Sequence, residues 1–374
     1  MLHRVRFLLP AVLALAAFAA ACGGDQDDAG PTASPANSTP SAATVPPGAT
    51  AVSLTGPDGG LTLCLPPDKA PASKDFPPSV DPAKSIPEDQ RNKVNVVVAG
   101  LDFYVGDNNF VFGITNKQDQ PEGKAKARVT FYDISEPKTP KAVCQAEAVE
   151  SAPGVGTQVQ HIHATGDVHT HGGEDDNRVG YFVRARFGYA GAWGVAVEAV
   201  LQDGTRGVAN VGFQVTAKSA IPAAGEAAPK SDNLTKKDVE KISEIDSGDP
   251  PNDMHDVKIK DAIAAGRPVV VVFSTPAYCT SRFCGPVNEE VESLMDVYKD
   301  RVDFVHIEIW RDRVKQVLNP TAQEWLIRQD GNLIEPYVYV VDKTGIIYNR
   351  WEGPVARNIM EQSVKDVAEG KTFK

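Results

Sequence analysis

The chain has 374 residues, enough for two folded domains plus extended tails. Its 38 Lys and Arg stand against 49 Asp and Glu, a net charge of −11. That balance excludes the basic footprint of a nucleic-acid binder and leaves solubility as the plain reading of the acidity.

The N-terminus reads as a targeting segment. His3, Arg4 and Arg6 form a basic start, and residues 7–21 are an apolar run of about fifteen residues, short for a membrane span. The run ends in Ala19-Ala20-Ala21-Cys22-Gly23-Gly24. Small residues before a single Cys resemble the lipobox of bacterial lipoproteins, although Ala19 stands where that family usually has Leu. The resemblance implies a signal peptide over 1–21, a Cys22 that is diacylated with chains such as palmitate and becomes the first residue, and a lipid anchor at the outer face of the bacterial cytoplasmic membrane. An ordinary cleaved signal peptide is the alternative. Residues 22–93 are rich in Pro, Ala, Ser and Thr and cannot bury enough apolar area to offset chain entropy, so they read as a disordered stalk, partly ordered from 61 onward. With Cys22 assigned to lipid and Cys279 and Cys284 to each other, Cys64 and Cys144 remain. An exported chain folds in an oxidising compartment, so these two form a structural disulfide or stay as buried thiols.

Residues 94–217 carry short β-branched and aromatic runs: 110–114, 127–132, 181–187, 196–201 and 208–215. Turn signals separate them, as at Gly106-Asp107-Asn108 and Gln202-Asp203-Gly204. About seven strands of this kind predict an antiparallel sandwich. Residues 188–197 and 204–215 resemble the closing hairpin of small extracytoplasmic immunoglobulin-like modules, which mostly bind or position partners.

Inside this region His161, His163, His169 and His171 are arranged almost symmetrically about Gly166. A hairpin pairing 161 with 171 and 163 with 169 would put four imidazoles on one face. Such a face suits copper, zinc or nickel, with Glu174, Asp175 and Asp176 following as further donors; otherwise the segment is a solvated polar loop.

Residues 218–252 read as a linker rich in Ala, Pro, Lys, Asp and Ser, with a helical turn near 238–245. From 253 to 374 strands and helices alternate. A helix over 258–265 precedes strand 269–273, and a helix over 286–298 carries Val287, Val291, Leu294 and Val297 at helical spacing. Strand 302–309, helix 322–328, a hairpin of 337–341 with 346–351, and helix 355–368 complete the order.

Between the Val strand and the second helix stands Thr275-Pro276-Ala277-Tyr278-Cys279-Thr280-Ser281-Arg282-Phe283-Cys284-Gly285-Pro286. With Pro336 opening an apolar strand and the Asp342-Lys343-Thr344-Gly345 turn, residues 269–353 resemble thioredoxin-like proteins of the extracytoplasmic TlpA type. The fold expected is therefore a two-domain one, an all-β immunoglobulin-like sandwich followed by an α/β thioredoxin-like domain. The resemblance implies thiol–disulfide exchange with extracytoplasmic protein thiols or disulfides. Cys279 would attack, Cys284 would resolve, and Pro336 would be a cis proline at which substrate docks. Tyr278, Phe283 and Glu335 flank these positions as substrate-contacting residues. No cofactor is required by such chemistry.

The chain departs from the family in two respects. It has Cys-x4-Cys in place of Cys-x-x-Cys, and no carboxylate on the all-Val strand. In a continuous helix, Cα atoms five residues apart lie roughly 8–9 Å from each other, whereas a disulfide needs less than about 7 Å. Either 279–285 is an irregular turn before a helix starting at Pro286, or oxidation unwinds a turn. Helix amides and Arg282 would favour the thiolate. The x4 spacing also resembles Q-type peroxiredoxins, with Thr275 one residue too far from Cys279 and Pro336 near their catalytic Arg position. A third resemblance, to Sco-type copper chaperones, would need His306 as a ligand; on a central parallel strand it reads rather as a core histidine. A partner-binding lipoprotein without catalysis is the remaining alternative.

Overall fold

The computed structural model describes residues 64–66, 69, 75–76, 93–154, 159–162, 168–171, 179–279, 283–312, 315, 317–328 and 331–374. The expected signal peptide over 1–21, Cys22 and most of the expected 22–93 stalk lie outside the described residues. Among those that are described, no helix is long and apolar enough to cross a membrane. The chain is mostly β-sheet with few helices.

Ten strands come first: β1 (Val94–Val98), β2 (Gly106–Asn116), β3 (Lys126–Asp133), β4 (Lys141–Glu147), β5 (Val149–Ser151), β6 (Val159–Ile162), β7 (Val168–His171), β8 (Gly180–Phe187), β9 (Gly191–Val200) and β10 (Arg206–Val215). They make two antiparallel four-stranded sheets, ordered β1-β2-β8-β5 and β10-β9-β3-β4, and a separate β6-β7 hairpin. The aromatic residues of the strands meet between the two sheets. Phe110, Phe131 and Phe187 are fully buried, with edge-to-face rings 5.0 Å apart for Phe110–Phe131 and 5.4 Å for Phe131–Phe187. The expected β9–β10 pairing turns through Gly204, whose φ of +82° is open to glycine at no steric cost.

The Cys64–Cys144 disulfide fastens the segment before β1 to β4. Leu65 and Gln145 exchange backbone hydrogen bonds of 3.0 and 2.7 Å beside it. Phe76 is also buried, under the Arg128 guanidinium.

The β6–β7 register differs from the expected one. His161 pairs with His169, and His171 with Val159. The shift brings Ile162 opposite Val168, whereas the expected register faced Ile162 with Thr170. His163 and the Glu174-Asp175-Asp176 run lie outside the described residues.

The C-terminal half holds β11 (Val269–Ser274), β12 (Asp303–Glu308), β13 (Trp310–Asp312), β14 (Val317–Leu318), β15 (Tyr337–Val341) and β16 (Ile347–Glu352). Its helices are α1 (Ile259–Ala264), α2 (Cys284–Tyr298), α3 (Pro320–Leu326) and α4 (Arg357–Ala368). The sheet is ordered β12-β11-β15-β16, with β11 and β12 parallel and the other pairs antiparallel. β11 is all apolar up to Ser274 because both of its faces are covered. Val270 and Val272 meet α2 and α4 through Val287, Val291 and Met360. Val269, Val271 and Phe273 meet α1 and α3 through Ile259, Ala322 and Trp325. Asn319, outside the expected helix, caps α3 by accepting from the Thr321 N–H at 2.9 Å. The residue closing the α2 stripe is buried Tyr298, four positions after Leu294, and not Val297, which is 51% exposed.

Residues 218–252 carry few large apolar side chains, yet many lie on this half. Ile221 and Ala228 join the core under β11, and residues 225–228 exchange backbone hydrogen bonds with Gly345 and Ile347 at the start of β16. The two halves also share apolar contacts, since Val111 and Phe182 lie in the same cluster as Val270 and Met360. Beside it, Arg350 pairs with buried Asp102 at 2.5 Å.

Candidate active site

The C-terminal end of β11 leads into a turn in which the Tyr278 N–H donates to the Thr275 carbonyl at 3.1 Å. The Ser247 hydroxyl accepts from the Ala277 N–H at 3.2 Å and pins that turn from the side. Cys279 follows, outside any helix, while Cys284 is the first residue of α2 with Phe283 before it. The helix thus begins two residues ahead of the expected Pro286. Pro286 is third in line, where its missing N–H has no intrahelical partner to lose. Cys279 and Cys284 are joined as a disulfide with Cα atoms 5.9 Å apart, within reach only because Cys279 is off the helical path. Both cysteines are buried, and Tyr278 and Phe283 are half-buried beside them. Arg282 lies outside the described residues.

The opposite wall comes from the loop entering β15. The Glu335–Pro336 peptide is cis and Pro336 is buried. The Glu335 Oε2 lies 3.7 Å from the Cys284 Sγ, and its Oε1 accepts a 2.8 Å hydrogen bond from the Trp310 indole. Burial pushes the Glu335 carboxyl above the ordinary carboxylate range, and the indole offsets only part of this. The carboxylate absent from β11 is thus supplied across the disulfide from another loop, and it touches sulfur, a closer role than the substrate contact expected of it. If the disulfide is reduced, this carboxylate is placed to take the Cys284 proton.

Behind the turn is a buried polar group built from three parts of the chain. Asp246 lies in the loop after a short 3-10 turn at Ile242–Glu244, His255 lies before α1, and His306 is on β12. The His255 Nε2 is 3.0 Å from the Asp246 Oδ2, and the His306 Nδ1 is 3.4 Å from the His255 Nε2. The other His306 nitrogen, Nε2, lies 3.0 Å from the Ser274 hydroxyl, which donates to the Asn288 Oδ1 of α2 at 2.6 Å. Burial disfavours the Asp246 anion, but the His255 hydrogen bond, the adjacent His306 ring and the Gly248 N–H outweigh this and hold its carboxyl well below the usual range. Burial lowers His255; for His306 it is outweighed by Asp246, which keeps that ring more basic than usual. On the same strand, Glu308 is pushed by burial up to about 7 and accepts from the Ser247 N–H at 2.9 Å. A cavity of about 250 Å³ opens beside Glu308, Trp310 and Arg311.

Of the expected site residues, Cys279, Cys284, Glu335 and Pro336 come together, with Tyr278 and Phe283 at their edge. Cys64 and Cys144 form their own disulfide far along the sequence. The histidine hairpin has β6 alongside α2, but its side chains lie outside the description. Sequence reasoning missed Asp246 and His255; both sit in stretches without periodicity, and a histidine flanked by acids, as in Asp253-Met254-His255-Asp256, was the one available signal.

No family model and no curated protein matches the chain. Among solved structures it is similar to one titled thiol:disulfide interchange protein, thioredoxin family protein, from Chlorobium tepidum TLS. The match has 19% identity, covers 39% of this chain and 98% of that one, and has a TM-score of 0.25.

Proposed function

We propose that the chain is a thiol–disulfide oxidoreductase at the outer face of the bacterial cytoplasmic membrane, held there by lipid on Cys22. In this proposal a thioredoxin-like C-terminal half of the TlpA type does the chemistry and an immunoglobulin-like half positions partners. The supporting observation is the Cys279–Cys284 disulfide at the start of α2, with Glu335 against it and a cis peptide between Glu335 and Pro336.

Starting from the dithiol, the Cys279 thiolate attacks one sulfur of a substrate disulfide. The substrate S–S bond breaks, one substrate thiolate leaves, and a mixed disulfide forms. Glu335 then takes the proton of Cys284. The Cys284 thiolate attacks the Cys279 sulfur, the mixed disulfide breaks, and the second substrate thiolate departs and collects a proton. Two electrons have passed to the substrate, and Cys279–Cys284 is oxidised. Every step is reversible, so an external dithiol resets the pair.

The test is a redox titration of the purified chain with a mass readout. Dithiothreitol should open Cys279–Cys284 reversibly, and the Cys284→Ser variant should trap a mixed disulfide at Cys279. A pair that dithiothreitol cannot reduce and reoxidation cannot restore sinks the enzyme.

One addition is copper or zinc held by His161, His163, His169 and His171, on the hairpin whose β6 approaches α2. Equilibrium dialysis against Cu²⁺, with and without the four His→Asn changes, should show a difference; equal uptake removes it.

A further inference from the structure

We infer that Asp246, His255 and His306 form a binding site for a divalent transition cation of the Zn²⁺ class, separate from the thiol pair and from the histidine hairpin. The three residues bring one donor atom each to a common point. The separations are 3.0 Å for Asp246 Oδ2 to His255 Nε2, 3.4 Å between His255 Nε2 and His306 Nδ1, and 3.6 Å for His306 Nδ1 to Asp246 Oδ2. Donors at 2.0–2.1 Å from a tetrahedral Zn²⁺ are about 3.3–3.4 Å from one another. The three atoms already have that spacing, so a cation between them requires shifts of only a few tenths of an ångström.

The surroundings fit ligation as well. All three residues are at most 3% exposed, so a bound ion would be shielded from water. His306 turns its Nε2 to the Ser274 hydroxyl at 3.0 Å. An N–H there leaves a lone pair on Nδ1, facing the cluster, the arrangement in which an outer hydrogen bond fixes a ligating tautomer. The Asp246 Oδ1 is occupied by the Gly248 N–H at 2.8 Å, which orients Oδ2 inward. Two imidazoles and one carboxylate, with no thiolate, suit Zn²⁺ or a neighbouring first-row ion.

The competitor is the Asn252 amide. Its Nδ2 lies 2.8 Å from the Asp246 Oδ2 and 2.9 Å from the His306 Nδ1, donating into the same space. In the metal-free chain this amide supplies the positive end of a dipole where the cation would sit. Metal entry has to displace it, and Asn252→Asp would turn the competitor into a fourth ligand.

The experiment uses the full chain with His161, His163, His169 and His171 all changed to Asn, so that the hairpin takes no metal. The Cys279–Cys284 disulfide is kept oxidised so that no thiolate competes. After dialysis against a chelator, the protein is titrated with Zn²⁺ and followed by metal analysis and melting temperature. The expected result is one equivalent bound, a rise of several degrees in melting temperature, and loss of both on His255→Asn. With Asn252→Asp the affinity should rise at least tenfold, a gain that does not depend on the histidine variant folding. In the Asn252→Asp chain, Co²⁺ should give the visible absorption of a four-coordinate site. No uptake by the hairpin-silenced chain at micromolar Zn²⁺, or uptake unaffected by both His255→Asn and Asn252→Asp, overturns the site.

Discussion

The two disulfides are built for different ends. Cys64–Cys144 closes a separation of 80 residues, and backbone hydrogen bonds between Leu65 and Gln145 hold both of its sides. Cys279–Cys284 closes a separation of 5 and has a half-buried carboxylate 3.7 Å from one sulfur. Loop-closure entropy makes the first worth about 4.5 kcal/mol and the second about 2 kcal/mol. The long-range bond restricts the unfolded chain; the short one adds little to stability and is surrounded by groups that can move a proton. On the proposed reading, what separates the structural from the reactive disulfide is its neighbours and its loop length, and oxidation state alone does not distinguish them.

The comparison is easiest to break at the long-range bond. Replacing Cys64 and Cys144 together by Ala should cost about 4.5 kcal/mol of unfolding free energy while reversible reduction of Cys279–Cys284 continues. Urea unfolding with a parallel mass-read redox titration measures both. The same replacement at Cys279 and Cys284 should cost no more than about 2 kcal/mol and abolish exchange. A larger stability loss at the short loop would mean that the reactive pair is structural after all.

A smaller effect sharpens the reactive side. Glu308 hydrogen-bonds the Ser247 backbone, and Ser247 in turn pins the turn before Cys279. Its carboxyl has risen from 4.5 to about 7 on folding. Between those values the native chain keeps a proton that the unfolded chain has released, so stability falls as pH rises from about 4.5 to 7. The full loss is on the order of 3 kcal/mol. Glu308→Gln, which cannot ionise, should flatten that slope and be more stable relative to the parent at pH 8 than at pH 4. Parallel slopes in urea unfolding for the two proteins would show that Glu308 titrates normally.

The parts of this architecture that local chemistry decides are legible in the sequence. The Val269–Phe273 run, the Val287, Val291, Leu294 stripe and the turn at Asp342-Lys343-Thr344-Gly345 each carry their own period or turn signal, and β11, α2 and the β15–β16 hairpin follow. Boundaries fail where two local signals compete. Gly285-Pro286 reads as a helix start, but packing of Cys284 under Glu335 draws the first turn two residues earlier. The hairpin register is shifted by two residues from the symmetry of the histidines, pairing His161 with His169. Clusters assembled across the chain leave little local trace beyond an acid-flanked histidine such as His255. Asp246 and His255 are 9 residues apart and His306 a further 51, and only the fold brings them together. Glu335 is likewise 51 residues from Cys284. A missing carboxylate on one strand is therefore weak evidence against acid–base chemistry at a thiol pair, because a different loop can supply it.

That substitution of one loop for another is open to a kinetic test, with the smallest expected effect of the three. If Glu335 accepts the Cys284 proton, Glu335→Gln should slow resolution of a Cys279 mixed disulfide by about tenfold, equivalent to 1.4 kcal/mol of barrier. Formation of the mixed disulfide, which needs only Cys279, should be unchanged. In the parent the resolving rate should rise with pH through the carboxyl's own titration, and burial moves that limb above the ordinary carboxylate range. In Glu335→Gln the limb should disappear, leaving the thiol ionisation alone to set the profile. Trp310→Phe removes the indole hydrogen bond that steadies the anion; it should push the same limb further up in pH without erasing it. Stopped-flow measurement of the two phases distinguishes this from packing damage, which would slow both phases and leave the shape of the pH profile intact.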